Sequence, residues 1–245
     1  MCQRYARAPW AGAWPKRQGD HADVAAPAVR GYRRPATHRC RHRPCRAATP
    51  VMLSFLLLGA VDLSTSVDAA RALAAFVRAL HTLPPPDHET PRSAKAIGRR
   101  HWDAIFRETL SGLRGVVGVD VDAAQRAWDD TMNAPAWDGP AVWVHGDLLR
   151  DNLLARDGEL TGVIDFECYG AGEPALDLTP AWTVFSGAAR AAFVEGVNAD
   201  AAAWGRARNF ALRSVMGIRY YEETNPPFST MSRRTLREAT LDPIV

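Results

Sequence analysis

Residues 142–166 read VWVHGDLLRDNLLARDGELTGVIDF, and the fold turns on how this stretch is read. Val142, Trp143 and Val144 are apolar and β-prone, which predicts a buried strand ending at His145. Asp157-Gly158 between two apolar runs is the strongest short-range signal for a two-residue hairpin. With that turn, Arg156 is predicted to face Glu159, Leu154 to face Thr161, and Asn152 to face Val163. Asp165 then shares a sheet face with Asn152, as a diagonal neighbour roughly 7–8 Å away. Leu153, Ala155, Leu160 and Ile164 form the opposite face and are expected to pack on the core. Asp147, Asn152 and Asp165 are thereby drawn together, and one carboxylate to orient a hydroxyl plus two oxygen ligands for Mg²⁺ is the set that phosphoryl transfer needs.

HGDLLRDN at 145–152, VIDFE at 163–167 and PALDL at 174–178 together resemble the aminoglycoside phosphotransferase family of small-molecule kinases. That family shares its fold with the protein kinases. The likeness continues through AWTVFSG at 181–187 to YYEETNP at 220–226, and more weakly back to 67–80, about four-fifths of the chain. The resemblance implies that Asp147 is the catalytic base and that Asn152 and Asp165 hold Mg²⁺ on the phosphates of ATP. It further implies that His145 is a structural member of the loop and that Asp177 is buried against the loop backbone. Leu149, Arg150 and Asp151 depart from the His-Pro-Gly-like residues usual in the family. Arg150 is read as a solvated loop residue, and Asp151 and Asp157 as turn formers.

Composition divides the chain. Residues 1–50 hold no Leu, Ile, Phe or Glu but ten Arg, giving a net charge of +9, while the other 195 residues carry −6 of the overall +3. Without large aliphatic side chains a segment cannot offset its chain entropy, so 1–50 is expected to lack a packed core. Arg richness alone suggests nucleic acid, but no nucleic-acid partner is expected. The run His38-Arg39-Cys40-Arg41-His42-Arg43-Pro44-Cys45 fits no zinc-knuckle spacing, and its Arg residues oppose a cation. The apolar stretch 51–61 is too short to cross a bilayer and is expected to be a hinge strand or lobe remnant. The composition of 1–50 fits a reading frame foreign to the fold.

The expected fold class is α+β: a protein-kinase-like C-terminal lobe over 51–245, mostly helical, with a catalytic-loop β-hairpin and with the N-terminal lobe absent or degraded. No Gly-rich loop precedes Asp147, and the chain's two lysines are Lys16 and Lys95. Helices are expected over 67–80 with Ser66 as N-cap, over 101–113, and over a third segment capped by Asp120 or Asp122 and carrying Trp128 and Met132. Further helices are expected over 176–185, 188–195, 201–223 and 232–240, with Pro84-Pro85-Pro86 and Asn225-Pro226-Pro227 as breakers. Cys168 is the only cysteine after the first 50 residues, so no disulfide framework is expected there, which points to a reducing, cytoplasmic setting without membrane attachment. The acidic remainder is compatible with a cationic, aminoglycoside-like substrate, with Glu173, Glu222, Glu223, Asp103 and Glu108 as candidate contacts. The expected activity is ATP- and Mg²⁺-dependent phosphorylation of a small-molecule hydroxyl. The alternative is a truncated, inactive C-lobe that at most binds small ligands.

Overall fold

The computed structural model describes residues 62–84, 99–241 and 244. The expectations placed on 1–61, on Lys95 and on Pro85-Pro86 lie outside the described residues.

The first helix, α1, spans Val67–His81. It starts where expected because the Ser66 hydroxyl oxygen accepts the Ala69 N–H, 3.2 Å away. The same hydroxyl donates to the Gly158 carbonyl at 2.9 Å and so ties the helix start to the hairpin turn. Leu73, Ala74, Val77 and Leu80 recur at helical spacing and are buried. Next come α2 (Arg99–Ser111) and α3 (Val121–Met132), and α3 is capped by Asp120 accepting from the Ala123 N–H. Trp128 of α3 stacks on Phe106 of α2 with ring centroids 3.9 Å apart, and its indole N–H donates to Asp103.

Four short strands form two antiparallel pairs: β1 (Val142–Val144) with β4 (Gly170–Gly172), and β2 (Leu153–Arg156) with β3 (Glu159–Val163). The predicted turn is present, with both Asp157 and Gly158 at positive φ, as a type I′ reversal requires. The predicted register holds beside the turn, at Arg156–Glu159 and Ala155–Leu160. A β-bulge between Leu154 and Ala155 then leaves Thr161 as the extra residue, so Leu154 pairs with Gly162 and Leu153 with Val163. The bulge transfers Val163 to the buried face, and Asn152 falls just outside the strand.

The remaining helices are α4 (Pro180–Thr183), α5 (Gly187–Val197), α6 (Ala201–Leu212), α7 (Val215–Tyr221) and α8 (Pro226–Leu241). Three differ from expectation. The predicted helix over 176–185 is divided into a 3₁₀ turn, Pro174–Leu178, and the short α4, because Pro180 cannot donate to the turn before it. The predicted helix over 201–223 is divided by 3₁₀-type bonds from Ser214 N–H to Ala211 and from Gly217 N–H to Ser214. Finally, Pro226-Pro227 opens α8 rather than merely ending its predecessor: a missing N–H costs nothing in a first helical turn, and the Asn225 side chain accepts from Phe228 N–H. The core lies between α1, α5, α6, α8 and the buried faces of Trp182, Phe185, Phe193 and Trp204.

Candidate active site

The loop from His145 to Asn152 leaves β1 and returns to β2 through a 3₁₀ turn, Arg150–Asn152. Its anchor is Asp177, which is fully buried. One carboxylate oxygen accepts the Gly146 N–H at 2.8 Å, and the other accepts the His145 N–H at 2.9 Å. His81, the last residue of α1, places Nε2 3.2 Å from the latter oxygen. His81 was not singled out in the sequence. Its position as the last residue of an amphipathic helix was the available signal, but nothing in a helical pattern points from there to residue 177.

His145 is likewise buried and held at both nitrogens. Nδ1 lies 3.2 Å from the Asp147 N–H and accepts it, which assigns the proton to Nε2, the donor to Ile164 O at 3.0 Å. The ring therefore bridges the loop to the residue before Asp165, and it packs against Phe166.

Asn152 is buried, and its amide nitrogen donates to the Asp147 carbonyl at 2.7 Å and to the Asp147 carboxylate at 3.3 Å. Its backbone carbonyl accepts from Ile164 N–H at 2.9 Å. Asn152 and Asp165 lie in the turns on either side of the β2–β3 hairpin, not on one sheet face, and the Ile164 N–H to Asn152 carbonyl bond ties those turns together. Asp165 sits at φ 62°, a left-handed conformation uncommon for a residue with a side chain, and one of its oxygens caps Glu167 N–H at 3.4 Å. With its nitrogen committed, Asn152 has its amide oxygen left as a ligand atom. Asp165 has a second carboxylate oxygen. These are hard donors of the kind Mg²⁺ takes, usually one or two from protein with phosphates and water completing the shell, so the residues fit the ion. No group of three or more His, Cys, Asp or Glu that could hold a metal ion occurs among the described residues.

The acids proposed for substrate contact are placed differently. Glu173 lies 3.7 Å from the buried Arg206. Glu222 accepts from Ser229 and Arg233, and the Ser229 hydroxyl first, then Arg233, holds its carboxyl below the ordinary range. Asp103 accepts from Arg107 and Trp128. Glu223 and Glu108 are exposed.

Fold and loop together define an α+β protein with a kinase-like C-terminal lobe. A family model described as "Phosphotransferase enzyme family" matches residues 12–210, and the chain belongs to that family. The match begins inside the Arg-rich segment. Among curated proteins, a homoserine kinase of Granulibacter bethesdensis is 35% identical over 89 residues, covering 35% of this chain and 26% of its own. A homoserine kinase of Nitrobacter hamburgensis is 26% identical over 130 residues, covering 50% and 37%. A solved gentamicin–APH(2″)-IIa complex is similar over 76% of this chain and 66% of its own, at 18% identity and TM-score 0.46. The chain therefore spans between a quarter and two-fifths of the length of these curated relatives. No helix among the described residues is long and apolar enough to cross a membrane.

Proposed function

We propose that this chain carries the catalytic loop of an ATP- and Mg²⁺-dependent phosphotransferase acting on a hydroxyl of a small molecule. The observation that supports this most is the double hold of Asn152 on Asp147, through carbonyl and carboxylate, beside Asp165. Asp147 accepts the acceptor's hydroxyl proton. The hydroxyl oxygen forms the bond to the terminal phosphorus as the bond to the bridging oxygen breaks, and ADP keeps that electron pair. Asn152 and Asp165 are the residues that would hold Mg²⁺, which when bound offsets charge on the phosphates. His145 and Asp177 keep the loop in shape and take no proton from the acceptor. As the curated relatives are named homoserine kinases, L-homoserine is the first acceptor to assay.

The competing reading is a lobe that binds small ligands without transferring phosphate, and the short span shared with the relatives favours it. Purified full chain, Mg·ATP and an acceptor, followed by ADP release, separates the two. Under the transfer reading, Asp147→Ala lowers kcat by about 10²–10⁴-fold while ATP still binds. Asn152→Ala and Asp165→Ala raise the Mg²⁺ concentration needed for half-maximal rate. ADP release that is absent, or that survives Asp147→Ala, sinks it.

A further inference from the structure

Trp143, Tyr169 and Phe166 line up beside the catalytic loop, and none of them belongs to the hydrophobic core. The strand register accounts for the row. Trp143 pairs with Ala171 and Val144 with Gly170, so Tyr169, the residue before β4, is a diagonal neighbour of Trp143 on the same face. Their rings stack nearly flat, 5° from parallel with centroids 4.9 Å apart. Tyr169 then meets the Phe166 ring edge to face at 6.1 Å, and Phe166 meets the His145 ring at 4.6 Å. The far end is fixed as well, because the Trp143 indole N–H donates to the Pro84 carbonyl, just past α1, at 2.7 Å.

These rings flank the turn that carries Asp165. Its left-handed backbone, φ 62° and ψ 65°, persists only where the surroundings over-determine it. The carbonyl before it, Ile164 O, is held by His145 Nε2 at 3.0 Å, and the one after it, Phe166 O, by the Tyr169 N–H at 3.1 Å. The Asp165 carboxylate adds a long bond, 3.4 Å, from Glu167 N–H. Phe166 is 38% exposed and outside the core, so its ring is placed by the His145 and Tyr169 rings.

We infer that Tyr169, laid flat on Trp143, is a positioning residue for Asp165: through Phe166 it holds the turn that sets the place of that carboxylate. What the carboxylate then does, as one of the residues that would hold Mg²⁺, is taken from the phosphotransfer reading above. Groups that orient a metal ligand change metal affinity when they are removed. The contacts are made by ring faces and edges, so Phe can stand in for Tyr169 and Ala cannot. A purely stabilising role predicts something different: losses spread over the chain and an unchanged response to Mg²⁺.

The test uses the full chain and the variants Tyr169→Ala, Tyr169→Phe and Trp143→Leu. Hydrogen exchange without nucleotide or metal is followed at the amides of positions 167 and 169, with amides of α1 and α5 as reference. Tyr169→Ala and Trp143→Leu are expected to speed exchange at those two positions roughly three- to tenfold and to leave α1 and α5 unchanged. Tyr169→Phe should exchange like the unmodified chain. In ADP release with L-homoserine, Tyr169→Ala should raise the Mg²⁺ concentration for half-maximal rate about tenfold or more, with the KM for the acceptor unchanged. Unaltered exchange at both positions in Tyr169→Ala overturns the inference, as does a rise shared equally by α1 and α5. So does Tyr169→Phe behaving like Tyr169→Ala, or a Mg²⁺ response that Tyr169→Ala leaves in place. Local exchange that rises as expected, with no ADP release from the unmodified chain, would sink the phosphotransfer reading and leave the hold on Asp165 standing.

Discussion

Asp177 shows how much of the site depends on one carboxylate. It lies beyond solvent, takes N–H groups from consecutive residues at the start of the loop, and meets His81. Asp177→Asn replaces one acceptor oxygen with an NH₂ that must face a backbone donor. The expected loss is roughly 3 kcal/mol of stability, read as a lower urea midpoint. A loss under about 1 kcal/mol would mean that the loop holds itself without this carboxylate. His81→Ala leaves both backbone donors in place and is expected to cost less, about 1–2 kcal/mol in the same measurement. Candidate residues were legible where chemistry is encoded locally: the loop and the acid after the hairpin announce themselves by type and spacing. His81 was not, because its partner is 96 positions away and helical periodicity carries no long-range address.

Elements with local signals stand where the sequence puts them. Ser66 and Asp120 start their helices, and Asp157-Gly158 makes the reversal. Elements that owe their existence to neighbours were not legible. Gly170-Ala171-Gly172 has no β propensity, yet it is a strand because β1 offers it a partner, and Gly172 is required by Val144, whose side chain would lie 2.8 Å from an added Cβ. The bulge at Leu154–Ala155 likewise answers to burial of Leu153 and Val163 rather than to any turn residue. The divided helices α6 and α7 give a test at this scale. An added Cβ at Gly217 would lie 1.9 Å from Ser232 Oγ and 2.7 Å from its Cβ, so α7 and α8 touch at backbone distance. Gly217→Ala is expected to lower stability by about 1–3 kcal/mol, and Ser232→Gly in the same chain to restore part of it. Additive losses in the double variant, measured by thermal denaturation, would refute the contact.

Across the whole molecule the charged helix contacts set a pH window for folding. Burial works to raise the Glu238 carboxyl, but hydrogen bonds from Arg190 and Arg237 outweigh it and hold it below its ordinary 4.5. Asp62 is held below 3.8, first by Ser64 N–H, and Glu222 below 4.5 by Ser229 and Arg233. A carboxyl depressed in the folded state contributes stability above its unfolded pKa and loses it as pH falls through the folded one. Stability should therefore fall as pH drops below about 4.5, with the loss continuing under 3.8. Burial raises the Tyr169 and Tyr221 phenols above 10.0, and a raised group contributes below its unfolded pKa and loses that as pH climbs. A plateau bounded by these two limbs is the expected profile of melting temperature against pH. The acid limb belongs mainly to the α5–α8 contact and to the segment before α1, since those hold Glu238 and Asp62. A double variant, Asp62→Asn with Glu238→Gln, should start from a lower plateau and decline less steeply below pH 4.5. An acid limb as steep as that of the unmodified chain would show that these two carboxylates do not couple proton uptake to unfolding.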